Sequence, residues 1–188
     1  MTRSPFVAIF TGPPGCGKST LAERASVVSG APVANWDWLM SGLRVFPDVW
    51  APIEADAERR RDVGYSLMCR IGEQQLRRGQ SIIYDCITRP RAYERFGELA
   101  NRFSADLHLV ECVCSDIAIH ESRIVGRRRD IPDWDELEWQ WVLNSMAIYE
   151  SLDVPKLLID AIDPVDVNHE HVARHLGLTS APGPPGDE

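Results

Sequence analysis

The sequence predicts an α/β three-layer sandwich: a five-stranded parallel sheet with helices on both faces. Three observations carry this. An apolar run, Phe6 to Phe10, passes through a glycine-rich turn straight into helical spacing. Short apolar runs then alternate with amphipathic stretches along the chain, as expected of parallel strands that are buried on both sides by their crossover helices. The 188 residues, 44% of them hydrophobic, suffice for one domain with its own core.

The elements follow in order. Residues 6–11 form the first strand, and the helix after the turn carries Leu21, Ala22 and Ala25 on one side. Residues 31–36 read as the second strand, ending at Asp37. Gly42, Pro47, Asp48 and Pro52 punctuate residues 38–52, which read as a short helix and a loop anchored by Trp38, Leu39, Leu43, Phe46 and Trp50. Val63, Leu67 and Ile71 recur every four residues, so residues 53–78 are expected as one helix, stopped by Arg77-Arg78-Gly79. Residues 81–84 are a buried third strand before Asp85, and 91–103 a helix. Residues 107–113 make the fourth strand and 115–128 a helix capped by Ser115 or Asp116. Asp133, with Glu136 three residues later, opens a helix to about residue 150. Residues 156–159 are the last strand and 165–176 the last helix. The domain is expected over residues 1–178, and the Pro/Gly-rich, acidic stretch 179–188 as a disordered tail. There is no internal repeat.

Composition bounds the partners. A net charge of −8 disfavours an extended nucleic-acid surface, because phosphate contacts require clustered cations. Of the 20 cationic residues only Lys18 and Lys156 are lysines, a bias that genome composition accounts for. No cationic leader and no apolar run of membrane-spanning length is present, so the expected location is the cytoplasm, without membrane attachment. Five scattered cysteines, Cys16, Cys69, Cys86, Cys112 and Cys114, suit reduced core thiols better than a disulfide framework.

The chemistry starts at the turn. Gly12-Pro13-Pro14-Gly15-Cys16-Gly17-Lys18-Ser19, followed by Thr20, is Gly-x-x-x-x-Gly-Lys-Ser between a strand and a helix, the phosphate-binding loop of P-loop nucleotide-binding proteins. Its glycines let successive backbone N–H groups point at a polyphosphate, which the following helix N-terminus also favours. Lys18 is placed for the β- and γ-phosphates of ATP and Ser19 for Mg²⁺.

Ligands of such sheets bind at the carboxyl ends of the strands. There Asp37 is the candidate to accept the proton of a hydroxyl acceptor, its alternative role being a helix N-cap. Asp85, after four apolar residues, is the candidate second group near Mg²⁺, its alternative a solvated turn. Arg123, Arg127, Arg128 and Arg129 precede the Asp130-Ile131-Pro132-Asp133 break and suit a lid over the transferred phosphoryl group. Arg123 and Arg127 are assigned to catalysis and Arg128 to ATP, while cations at the negative end of a helix give the plainer account. Trp36, Trp38 and Trp50 make either an apolar wall for a ring-bearing acceptor or ordinary packing. His169, His171 and His175 lack a thiol or carboxylate at ligand spacing, so no metal is assigned to them.

In motif order over residues 6–176 the chain resembles P-loop kinases of the group that includes polynucleotide 5′-hydroxyl kinases, zeta-toxin-type sugar-nucleotide kinases and antibiotic phosphotransferases. The resemblance implies the P-loop NTPase three-layer sandwich and transfer of the γ-phosphate of ATP to a hydroxyl. It also implies an acceptor-activating Asp37, an Asp85 after the third strand and an arginine-bearing lid over 123–129. Polynucleotide kinases commonly carry Asp-x-x-Arg after the second strand, where this chain has Asp37-Trp38-Leu39-Met40. An arginine for the acceptor's phosphate is therefore missing unless Arg44 supplies it. The favoured acceptor is accordingly a small molecule, with a 5′-hydroxyl polynucleotide kinase or a regulatory NTPase as the alternatives. No Asn-Lys-x-Asp for guanine and no Leu-Ser-Gly-Gly-Gln signature supports the last.

Overall fold

Strand β1 (Phe6–Thr11) is buried along its whole length because both its faces are covered. Val7 and Ile9 point into one core with Met68, Tyr84 and Phe96, whereas Ala8 and Phe10 point into a second core with Leu21, Ala25, Val172 and Leu176. The period-two alternation of a strand thus reads as an uninterrupted apolar run. The computed structural model describes residues 4–178, and the expected tail, 179–188, lies outside them.

The remaining elements are α1 (Lys18–Ser29), β2 (Val33–Asn35), α2 (Trp36–Arg44), α3 (Pro47–Glu54), α4 (Ala57–Leu76), β3 (Ile82–Asp85) and α5 (Pro90–Arg102). After them come β4 (Asp106–Val113), α6 (Ile117–Ile124), α7 (Trp139–Ala147), β5 (Leu157–Asp160) and α8 (Val165–His175). The five strands are all parallel in the order β2-β3-β1-β4-β5. Helices α4 and α5 cover one face and α1 and α8 the other. The order reverses beside β1, so the carboxyl ends of β1, β3 and β2 open onto one crevice.

Three regions differ from the sequence expectation. Residues 47–54 are helical rather than a loop: Pro47 fits the first turn, and Trp50 and Ile53 are buried against Met40 in a third, smaller core. The expected long helix from residue 53 is therefore two helices. The Asp56 carboxylate caps the second by accepting from the Glu58 and Arg59 N–H groups, at 2.9 and 3.1 Å. Helix α6 ends at Ile124, four residues early, and Gly126 follows with φ of 76°. Helix α7 starts at Trp139 rather than Asp133, because Asp130 and Asp133 adopt left-handed φ of 51° and 55° and Trp134 is drawn away to pack on α2 and α3. Residues 125–138 consequently form a non-helical strap over the crevice.

Candidate active site

The loop between β1 and α1 is shaped by its glycines. Gly12 has φ of 132°, and a side chain there would overlap the Cys112 carbonyl of β4. Gly17 caps α1 in the left-handed region with φ of 80°. The Lys18 ammonium donates to the Pro13 carbonyl at 2.9 Å, which holds it over the loop. From beneath, the fully buried His120 of α6 places Nε2 2.6 Å from the Pro14 carbonyl and 3.7 Å from Cys16 Sγ. Burial pushes the Cys16 thiol up to about 11, so this side chain packs the loop and does no thiolate chemistry. Thr20 is exposed on the first turn of α1.

Pro14, Gly15, Lys18 and Ser19 face a cleft of about 1150 Å³, and so do Asp37 and Asp85 across from them. A glycine-formed cradle with a tethered lysine and an adjacent hydroxyl fits a nucleotide polyphosphate. Ser19 and the buried Asp85 supply the hard oxygen donors that Mg²⁺ takes.

Asp37 lies in the first turn of α2, and Asn35 is the N-cap: its Oδ1 accepts from the Trp38 N–H at 3.1 Å. The capping alternative for Asp37 is thereby answered by a different residue. The same Asn35 donates through Nδ2 to Asp85 Oδ2 at 2.6 Å, so one side chain fixes both the helix start and the second acid. Asp37 Oδ2 accepts from Arg129 at 2.7 Å, while Oδ1 accepts from no described residue and is open to the cleft. Removal from bulk water pushes the Asp37 carboxyl above the usual carboxylate range. The Arg129 guanidinium pulls it down, Asp85 pushes it up and Lys18 pulls it down, leaving a net rise.

Of the expected lid arginines, Arg127 and Arg128 line the cleft. Arg123 does not: it donates to the Ala161 carbonyl at 2.7 Å, at the end of β5. The arginine that reaches the acceptor-side acid is Arg129, whose side chain is only 9% exposed. It also binds Glu136 Oε2 at 3.4 Å and the Asp135 carbonyl, while its backbone N–H donates to Glu136 Oε1 at 2.8 Å. Trp134 closes the strap down, with edge-to-face contacts to Trp36 and Trp50 at 5.9 and 5.8 Å between ring centroids. Arg44 stacks against Trp134 and pairs with Asp135 at 2.9 Å, and Met40 is fully buried. Trp36 and Trp50 pack on Trp134 and also line the cleft, as does Trp38, which stays 53% exposed.

Sequence reasoning passed over Asn35, His120 and the central place of Arg129. Asn35 carried a signal, an Asx residue directly before a helical stretch. His120 carried none, since its partners, the Pro14 carbonyl and the Cys16 thiol, are more than a hundred positions away. A second buried arrangement was also missed: Glu111 of β4 accepts from Tyr149 and Ser151 at 2.8 and 2.7 Å and pairs with Lys156 at 2.8 Å. No group of three metal-ligating side chains occurs among the described residues, and none of their helices is long and apolar enough to cross a membrane.

A sequence model of the family described as AAA domain matches residues 7–147. No curated protein sequence matches the chain. Among solved structures the chain is similar to an unliganded sugar kinase from Janibacter sp. HTCC2649, with TM-score 0.69, 15% identity, and 93% of this chain and 95% of that one covered. A putative kinase from Chloroflexus aurantiacus superposes with TM-score 0.67 at 21% identity, over 92% of this chain and 99% of that one. The APS kinase CysC of Mycobacterium tuberculosis, in complex with AMPPNP and APS, does so with TM-score 0.61 at 16% identity, over 94% and 99%. At these identities the likeness establishes the fold alone, a parallel-sheet α/β sandwich.

Proposed function

We propose, for a chain that belongs to the AAA domain family, that it is an ATP-dependent kinase transferring the γ-phosphoryl group of ATP to a hydroxyl of a small-molecule acceptor. The observation that carries this reading is Asp37. A carboxylate with one oxygen held by Arg129 and the other free faces the same cleft as Lys18 and Ser19 of the phosphate loop. Kinases among the structural neighbours support the same class, though each acts on the substrate its own name states.

In this reading Asp37 Oδ1 accepts the hydroxyl proton as the acceptor oxygen bonds to the γ-phosphorus and the bond to the β-phosphate oxygen breaks, releasing ADP. Lys18, with Arg127 and Arg128 from the strap, balances the charge spread over the phosphoryl oxygens. Ser19 and Asp85 are the residues that would hold Mg²⁺, which supplies further charge neutralisation when bound. Arg123, turned to the Ala161 carbonyl, supports the β5–α8 turn instead of the transferred group. A small acceptor fits better than a polynucleotide end, because Met40 is buried and Arg44 is committed to Asp135 and Trp134.

The test is transfer of label from γ-labelled ATP to a panel of sugars, hydroxy acids, nucleosides, aminoglycosides and oligonucleotides. Wild-type protein is expected to label a small alcohol and Lys18→Ala to label none. Label released only as inorganic phosphate across the panel would falsify the kinase reading.

A further inference from the structure

The acceptor half of the cleft holds two guanidinium groups with neither a carboxylate nor a hydrogen-bond partner. Arg61, on α4, and Arg89, the residue that leads into α5, both line the cleft and are partly buried. Among the described residues neither guanidinium donates a hydrogen bond or reaches a carboxylate within ion-pair distance. The carboxylate that feels Arg61 at longer range, Asp56, is occupied in capping α4. Of the other arginines of this half, Arg44 is matched by Asp135 and Arg129 by Asp37, while Arg60 reaches only the neutral Glu54 carbonyl at 3.5 Å.

The elements that carry the two are tied together. Tyr65, one helical turn after Arg61, donates its hydroxyl to the Ile87 carbonyl at 2.7 Å and so ties α4 to the loop that presents Arg89. The Tyr65 phenol senses the charge of both arginines. Gly64, three residues after Arg61, brings the α4 backbone against the Trp36 indole, one residue from Asp37. Asp37, Trp36 and Leu39 line the same cleft as the two arginines. Two unneutralised cations withdrawn from bulk water are costly until an anion joins them, and guanidinium forks match carboxylate and phosphate oxygens two at a time.

We propose that the acceptor carries, besides its hydroxyl, an anionic group, a carboxylate or a phosphate monoester, held between Arg61 and Arg89. The hydroxyl rests on the kinase reading above, while the anion site rests on the arginine pair alone. The experiment fills the phosphate loop of the full chain with AMPPNP and Mg²⁺, then titrates matched probes by calorimetry: hydroxy acids against their methyl esters, and sugar phosphates against the free sugars.

The charged member of at least one pair is expected to bind about tenfold or more tightly than its neutral partner, and Arg61→Gln and Arg89→Gln each to remove most of that preference. AMPPNP affinity stays unchanged in both variants, and thermal stability without probe does not fall. Which pair responds distinguishes carboxylate from phosphate. Equal binding within every pair, no binding by any charged member, or a preference that survives both substitutions overturns the proposal. With ATP in place of AMPPNP, charged probes that bind but accept no phosphoryl group count against the kinase reading and leave the anion site standing. Transfer to neutral acceptors alone does the reverse.

Discussion

A carboxylate that must take a proton near neutral pH works best when its affinity for that proton is raised without being lost to a fixed partner, and Asp37 meets both conditions. Burial raises its pKa above an ordinary Asp, about 3.9, while Arg129 limits the rise and holds one oxygen. Because the folded value exceeds the unfolded one, Asp37 contributes stability below its unfolded pKa that is lost as pH rises through the folded pKa. The same deprotonation switches the base on, so phosphotransfer should fall on the acid side at a pH above that of an ordinary Asp. Arg129→Gln removes the opposing charge and should move this acid limb to higher pH; an unmoved limb in the pH–rate profile would detach Arg129 from the base. Glu111 is the opposite case. Its burial pushes the carboxyl up, but hydrogen bonds from Lys156, Ser151 and Tyr149 together hold it below the usual range. This group contributes stability at neutral pH that disappears as pH falls through its depressed pKa. Lys156→Met leaves the Glu111 charge buried and unpaired, and equilibrium unfolding should show a loss of about 3 kcal/mol.

At the scale of elements, α4 lies close on β3 because Gly72 lacks a side chain. A Cβ at Gly72 would overlap the Tyr84 hydroxyl, and that hydroxyl is fully buried, unpartnered, and part of a ring stacked on Phe96 with centroids 4.2 Å apart. Gly72→Ala should therefore destabilise by about 1–3 kcal/mol despite its better helix propensity. Tyr84→Phe should be neutral or stabilising by up to about 1 kcal/mol and should relieve much of the Gly72→Ala defect. A double-mutant cycle by chemical denaturation checks the coupling, and strictly additive effects would refute it. Elements of this kind were legible in the sequence where local pattern and tertiary environment agree. All five strands, the phosphate loop, and α5 and α8 fall within a residue or two of their expected bounds. The misreadings cluster at residues 47–56 and 125–138. There Trp50, Trp134 and Arg129 take their conformation from partners in other elements, which no local window contains. Likewise the phosphate loop and both acids were legible from their positions after strands. Arg61 and Arg89 were not, because nothing local marks an arginine that will lack a counter-ion.

At the scale of the whole molecule, the parallel sheet presents a nucleotide cradle at β1 and an acid at β2 to one cleft, and the strap 125–138 is drawn over it by Trp134 and Arg129. In the proposed kinase such a strap would keep water from the reacting phosphoryl group. Trp134→Ala should therefore raise acceptor-independent ATP hydrolysis relative to transfer by roughly tenfold, with ATP affinity little changed; an unchanged ratio would show that the strap does not exclude water. The central claim, that Asp37 is the base of a phosphotransferase, is tested most directly by single-turnover transfer from labelled ATP in Asp37→Asn, with nucleotide binding measured on the same preparation. Asparagine keeps the shape and leaves the Asn35 cap of α2 intact. A fall of about 10²- to 10⁴-fold in transfer, with ATP affinity nearly unchanged, is the predicted result. Transfer close to wild type in that variant would contradict the account and leave Asp37 as no more than an anchor for Arg129.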